Sequence, residues 1–139
     1  RMLAIGPSAG GHLAAMLLAT NWTALDPTAP SDLVHAALPI SGVFELAPLL
    51  STTVAEGLNL TAETAQALSP RYLPSPARPL HCLVGGEESG EYLRQSRDMA
   101  AAWGGRFEAA PGADHFTVIA PLAEPDNGLT RTAERLARG

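Results

Sequence analysis

The sequence is poor in cysteine, in basic residues and in long apolar runs. Its 139 residues include one cysteine, Cys82, which excludes an internal disulfide and fits a reducing compartment, so we expect a cytoplasmic protein. A signal peptide ahead of Arg1 would not be visible. The nine basic residues, all arginines, are scattered and the net charge is −5, which argues against a nucleic-acid partner. A membrane span needs about 20 continuous apolar residues, and the chain has no such run.

Metal-ligand patterns are also missing. Histidine, cysteine and carboxylate residues do not recur at ligand spacing, so we expect neither a metal nor another cofactor. What the sequence does have is 46% hydrophobic and 17% charged residues, which is typical of a globular core. The length suits one domain, residues 1–139. An apolar strand begins directly after Arg1, whereas chain termini usually lie at the surface, so we expect an N-terminally truncated part of a larger domain.

Apolar runs and helical patterns alternate along the chain. Strands are predicted at 2–5, 33–40, 80–84 and 106–109; helices at 9–20, 90–103 and 127–138, with short helical pieces within 45–69. Proline-rich segments at 21–32 and 69–79 are predicted to be loops or extended connectors. This alternation favours an α/β fold with a mostly parallel sheet and helices on both of its faces.

The most informative stretch is the segment Gly6-Pro7-Ser8-Ala9-Gly10, which lies between the first predicted strand and the first predicted helix. A strand, the pattern G-x-S-x-G and a helix together are the sequence form of a nucleophile elbow. The sharp turn brings two chain segments close together, so the residues two before and two after the serine must be small. The N-terminus of the helix also favours a developing negative charge.

Two other interpretations of this stretch are open. Gly6 and Gly11 have the spacing of the two glycines of a phosphate-binding loop, but His12-Leu13 stands where lysine and serine or threonine should follow. The stretch could also be only a tight turn built from small residues.

Three groups that could react follow predicted strands: Ser8, the pair Glu87-Glu88, and His115. Their order of serine, acid and histidine is that of α/β-hydrolases, in which imidazole activates the serine and a carboxylate orients the imidazole. Glu87, Glu88 and Glu91 all compete for the acid role. The backbone N–H of Ala9 is one expected oxyanion donor. The second should come from an earlier His-Gly-Gly loop, which these 139 residues do not contain.

With these motifs, the chain resembles the C-terminal portion of the kynurenine formamidase (arylformamidase) family of α/β-hydrolases. The motifs that carry the resemblance are Ser8-Ala9-Gly10-Gly11-His12-Leu13, Ile40-Ser41-Gly42-Val43-Phe44-Glu45-Leu46, Leu68-Ser69-Pro70, Val84 to Tyr92 with Arg94-Gln95-Ser96, and Asp114-His115-Phe116. The elbow is shared by many esterases, and the segment from Gly85 to Ser96 is the more specific signal.

The resemblance implies a serine hydrolase that cleaves N-formyl-L-kynurenine to kynurenine and formate, as in tryptophan degradation. Ser8 matches the nucleophile, His115 the base, and Glu88 the acid that precedes Ser89. The chain departs from the family pattern at two positions. Pro7 replaces a residue that is often histidine, and the acid is glutamate rather than the common aspartate, which keeps Glu87 open as an alternative.

Two other functions remain open: a general carboxylesterase for short acyl or aryl esters, and an inactive hydrolase-like fragment or binding domain. We expect the isolated 139 residues to be poorly soluble and nearly inactive, since the second oxyanion donor is missing. Val43, Phe44 and Phe116 are the expected substrate-binding residues, because they are apolar and adjoin strand ends. The expected partner is a small-molecule substrate, and a homodimer is one possible assembly.

Overall fold

A computed structural model describes residues 2–139 as a four-stranded parallel sheet in the order β1-β2-β3-β4. The strands are β1 (Met2–Pro7), β2 (Val34–Ile40), β3 (His81–Gly85) and β4 (Arg106–Ala110). The α-helices are α1 (Ala9–Ala19), α2 (Trp22–Leu25), α3 (Thr53–Leu58), α4 (Ala62–Ala67), α5 (Gly90–Trp103) and α6 (Gly128–Arg138). Short 3₁₀ turns occupy Ala47–Ser51, Pro70–Tyr72 and Ala120–Ala123. The predicted parallel α/β architecture is confirmed.

Helices cover both faces of the sheet, as the alternating pattern predicted. On one face, α1 and α5 enclose a core that includes Leu18, Met99 and Trp103. On the other face, α6 packs against a second cluster of buried residues, Leu38, Ile40, Leu83 and Val118. Strands β2 and β3 are buried along their whole length, which explains why they appear in the sequence as continuous apolar runs rather than alternating patterns.

Several helix ends follow from single residues. Helix α5 ends at Gly104, whose φ of 66° is the left-handed conformation that glycine adopts without strain. The side chain of Asn127 accepts hydrogen bonds from the first turn of α6, and Thr61 forms a capping box at the start of α4. The predicted loop 21–32 also contains the one-turn helix α2, which Asn21 caps through the Ala24 N–H.

The register of the sheet aligns the carboxyl ends of the strands. Pro7 pairs with Ile40, Ile40 pairs with Leu83, and Gly85 pairs with Ala110. The segments that follow the four strands therefore leave the sheet at one edge, where open parallel sheets place their functional groups. Within residues 2–139, no helix is both long enough and apolar enough to cross a membrane.

Candidate active site

Ser8 occupies a sharp turn between β1 and α1. Its φ of 53° and ψ of −118° are unusual for a residue with a side chain, which is the strain expected at a nucleophile elbow. The Ser8 N–H donates to the Ile40 carbonyl at 2.8 Å and ties the turn to the end of β2. Within the described chain, the neighbouring Ala9 N–H has no hydrogen-bond partner, so it is free to serve as an oxyanion donor.

Close backbone contacts explain the glycines of this turn. A Cβ atom on Gly6 would lie 2.4 Å from the carbonyl oxygen of Gly10, so the two segments of the elbow could not pass each other with larger residues. A Cβ on Gly11 would lie 2.7 Å from the Cα of Gly42, in the turn that follows β2. The start of α1 therefore packs backbone to backbone against the segment after β2. The sequence predicted the first of these contacts but not the second.

Glu88 and His115 form a hydrogen-bonded pair. Nδ1 of His115 donates to Oε2 of Glu88 at 2.8 Å. The side chain of Glu88 is 1% exposed and that of His115 is 28% exposed, so the acid is buried while the imidazole still reaches solvent. This is the arrangement in which a carboxylate fixes the tautomer of a catalytic base. Of the three glutamates that the sequence left open, Glu88 is the one that contacts His115.

The second carboxylate oxygen of Glu88 has two donors of its own. Oε1 accepts hydrogen bonds from the hydroxyl of Ser41 and, at 2.8 Å, from the backbone N–H of Gly85. Ser41 directly follows β2, is fully buried and has a φ of 49°. Sequence reasoning did not assign Ser41 to the site, because a serine after an apolar strand has no distinctive spacing. The available signals were its place at a strand end and its occurrence in the motif Ile40 to Leu46, which helps to carry the family resemblance.

Two aromatic rings flank the imidazole of His115. The Tyr92 ring lies tilted against it with 4.7 Å between ring centroids, and Phe116 meets it edge-on at 5.7 Å. Asp114 accepts hydrogen bonds from the Thr117 N–H, the Thr117 hydroxyl and the Phe116 N–H, which hold the turn and lower the pKa of its carboxyl group. Asp114 therefore stabilises the loop that carries His115, as aspartate commonly does in turns.

A cavity of about 250 Å³ opens beside His115 and is lined by Glu88, Tyr92 and Phe116, among others. Phe116 is 82% exposed, so its ring is available to a ligand there. A second cavity, of about 200 Å³, is mostly apolar and shares Tyr92 with the first; Val43 and Leu49 are among its lining residues. The expected substrate residues Val43 and Phe116 therefore both line cavities near the site.

The expectation for Phe44 requires correction. Its side chain is fully buried and packs in the core on the α1–α5 face, so it does not line either cavity. Two backbone N–H groups, those of Phe44 and Glu45, donate to the Gln95 side-chain oxygen at 2.7 and 2.9 Å. These two hydrogen bonds hold the loop backbone in a conformation in which the Phe44 ring packs in the core. Alternation in the loop after β2 sends Val43 to the cavity and Phe44 to the core.

The third member of the predicted triad lies at the same edge of the sheet but does not bond to the pair. Among the described residues, no hydrogen bond joins the Ser8 hydroxyl to His115. Catalytic hydrogen bonds are often long without substrate and tighten only in the complex. Residues 2–139 also contain no group of three or more histidine, cysteine, aspartate or glutamate side chains arranged to hold a metal ion.

Known proteins of similar sequence and structure match most of this chain. The chain is 36% identical to the kynurenine formamidase of Danio rerio in an alignment of 137 positions that covers 91% of this chain and 46% of that protein. A Silicibacter protein for which a thioesterase activity has been suggested superposes with a TM-score of 0.83, at 33% identity over 94% of this chain and 49% of that one.

A more distant structure has the same fold. The acetyl ester-xyloside bifunctional hydrolase of Caldicellulosiruptor lactoaceticus superposes with a TM-score of 0.65 at 18% identity, over 94% of this chain and 53% of that one. No protein-family model matches the chain. The chain spans about half the length of the relatives that it matches. It has the α/β-hydrolase fold and is homologous to a curated kynurenine formamidase, as its motifs predicted.

Proposed function

We propose that the full-length protein containing this chain is a serine hydrolase that cleaves N-formyl-L-kynurenine to kynurenine and formate. The observation that carries the proposal is the buried Glu88–His115 pair at the strand edge that also presents Ser8 on its strained turn. The similarity to a relative named kynurenine formamidase, over 91% of this chain, supports the choice of a formamide as substrate.

The proposed reaction begins when the Ser8 hydroxyl attacks the formyl carbon and passes its proton to Nε2 of His115. Glu88, bonded at Nδ1, stabilises the imidazolium that results. The tetrahedral oxyanion receives a hydrogen bond from the Ala9 N–H at the positive end of α1. We propose that the second oxyanion donor comes from outside these 139 residues.

Collapse of the tetrahedral intermediate breaks the bond between the formyl carbon and the aryl nitrogen. His115 returns its proton to that nitrogen, kynurenine leaves as the free amine, and the formyl group stays on Ser8 as an ester. Water, deprotonated by His115, then attacks this ester. Formate leaves, and His115 returns the proton to Ser8, which restores its hydroxyl.

A carboxylesterase for short acyl or aryl esters is the second candidate. The same three side chains would serve it, and the fold neighbours include an acetyl ester hydrolase. The exposed Phe116 and the tilted Tyr92 ring next to His115 favour an aromatic substrate over a purely aliphatic one. A comparison of kcat/KM for N-formyl-L-kynurenine with that for a simple aryl acetate separates the two candidates.

The decisive test is the Ser8→Ala variant of the full-length protein. Alanine keeps the Cβ that already occupies this strained turn, so the variant should fold, while kcat should fall by about 10⁴- to 10⁶-fold. Labelling with a fluorophosphonate probe should occur on Ser8 in the wild type and not in the variant. Equal turnover by the variant would end the serine mechanism. A well-folded wild type that neither reacts with the probe nor turns over substrate would favour a binding domain instead.

A further inference from the structure

We propose that Ser41 is a positioning residue of this site, whose hydroxyl holds the Glu88 carboxylate in the orientation that faces His115. The effects on kcat that we expect from substitutions of Ser41 rest on the proposed hydrolase function. The orientation of Glu88 by Ser41 does not depend on that function. The Ser41 hydroxyl must be the donor in its bond to Glu88, because an ionised carboxylate only accepts.

The two carboxylate oxygens of Glu88 have different hydrogen-bond partners, and this difference supports the positioning role. Oε1 is bonded by Ser41, from the end of β2, and by the Gly85 N–H, from the end of β3. Among the described residues, Oε2 is hydrogen-bonded to His115 alone. Glutamate has one more rotatable bond than aspartate, so its carboxylate needs more restraint to present one chosen oxygen. Donors from two adjacent strands supply that restraint by fixing the last torsion of the side chain.

The backbone of Ser41 gives an independent argument. Its φ of 49° lies in the left-handed region, which is strained for a residue with a Cβ and which glycine adopts freely. Glycine would therefore serve better if the position were needed only for a turn. The Ser41 side chain is fully buried and its hydroxyl bonds to Glu88. We therefore attribute the presence of serine at this strained position to that hydrogen bond.

Ser69 provides a matched control. It is also fully buried, and its hydroxyl also makes charge-neutral bonds within the structure, accepting from the Leu46 N–H and donating to the Ala65 carbonyl. Within residues 2–139, no hydrogen bond joins it to Glu88. A Ser69→Ala variant therefore loses a buried hydroxyl with its hydrogen bonds but leaves the carboxylate held as before.

The experiment compares Ser41→Ala, Ser41→Gly and Ser69→Ala in the full-length protein. Thermal unfolding establishes folding, steady-state kinetics give kcat and KM, and proton NMR follows the Nδ1 proton of His115. We expect both Ser41 variants to lose about tenfold to hundredfold in kcat, the range that a hydrogen bond to a charged group allows, with KM within twofold. The glycine variant relieves the backbone strain, so a loss of kcat there cannot be attributed to instability.

The spectroscopic readout separates this proposal from the proposed function. A His115 Nδ1 resonance that shifts upfield in both Ser41 variants and stays in place in Ser69→Ala supports the positioning role, even if N-formyl-L-kynurenine is not turned over. Unchanged kcat and an unmoved resonance in Ser41→Gly would overturn it. An equal loss of kcat in Ser69→Ala would overturn it as well, since it would show a general effect of removing buried hydroxyls.

Discussion

The two sides of the candidate site are held in place by different means. On the acid–base side, Glu88 is fixed by hydrogen bonds from the Ser41 side chain, the Gly85 backbone and the His115 ring. On the nucleophile side, Ser8 is fixed by backbone packing, in which Gly6 and Gly10 nearly touch. Both oxygens of the buried acid are hydrogen-bonded, while Ser8 lies on a strained turn next to the Ala9 N–H, which has no partner in the part of the chain that the structure describes.

This difference matches what each group has to do. A buried carboxylate without partners would be costly, so each oxygen of Glu88 is paired before any substrate arrives. A nucleophile must instead change its bonds during the reaction, so its position is better set by the backbone than by its own hydroxyl. Substitutions that remove polarity should therefore damage the acid–base side, and substitutions that add volume should damage the nucleophile side.

The largest expected effect is on the acid. Glu88→Gln keeps the size of the side chain but replaces one carboxylate oxygen with an NH₂ group, which cannot accept the bond from His115 Nδ1–H. Loss of the tautomer control should lower kcat by about 10⁴-fold, as expected when a triad acid becomes an amide. The matched control is Glu87→Gln, because Glu87 is exposed and, among the described residues, the hydrogen bond and ion pair of His115 go to Glu88 instead. Steady-state kinetics on both variants check this, and equal losses would remove Glu88 from the acid role.

The next effect is on the nucleophile turn. Gly6→Ala places a methyl group 2.4 Å from the Gly10 carbonyl oxygen, so the turn must open. The cost should be about 1–3 kcal/mol in the free energy of unfolding, together with a loss of turnover. Gly57→Ala in the helix α3 is the control, since nothing lies within 4 Å of the added Cβ and alanine is the better helix former. Urea denaturation should rank Gly57→Ala as the more stable variant, and the reverse order would contradict the close packing.

The smallest effect is a gain in stability. Ser96 is fully buried on α5, and its hydroxyl has no hydrogen-bond partner within residues 2–139. Ser96→Ala removes a buried hydroxyl that lost its hydrogen bonds to water without gaining one in the protein. The free energy of unfolding should therefore rise by about 1 kcal/mol, with turnover unchanged. Thermal unfolding monitored by circular dichroism measures this. Destabilisation by the alanine would mean that Ser96 has a partner in solution.

Local signals in the sequence predicted much of this arrangement. Small residues around Ser8 and an apolar run before it fixed the elbow, because few other structures require that combination. The alternation of apolar strands with helical patterns predicted the parallel sheet. Cys82, in the predicted strand 80–84, is fully buried, and burial raises the pKa of its thiol to about 12.

The remaining features depend on contacts between distant segments. Ser41 meets Glu88 across 47 positions of sequence, and no local pattern marks such a pair. Phe44 looked like a pocket residue because it is apolar and follows a strand. Its inward orientation is set by hydrogen bonds to Gln95, 51 positions away, so the loop conformation could not be deduced from the loop alone. The family resemblance matched Glu88 to the acid but left Glu87 open, and the hydrogen bond between His115 and Glu88 depends on the folded chain.

The hydrogen bond between Leu46 and Ser69 has a consequence for how new substrate ranges could evolve. The Leu46 N–H donates to the Ser69 hydroxyl at 2.8 Å, which joins the residues on either side of the segment 47–68. The Arg71 N–H adds a second hydrogen bond, to the Phe44 carbonyl. Insertions or deletions inside a loop closed at its base change its entropy only slowly with length. The segment 47–68 can therefore be lengthened, shortened or exchanged, which would reshape the cavity that Pro48, Leu49 and Thr52 line. The Glu88–His115 pair would keep its geometry.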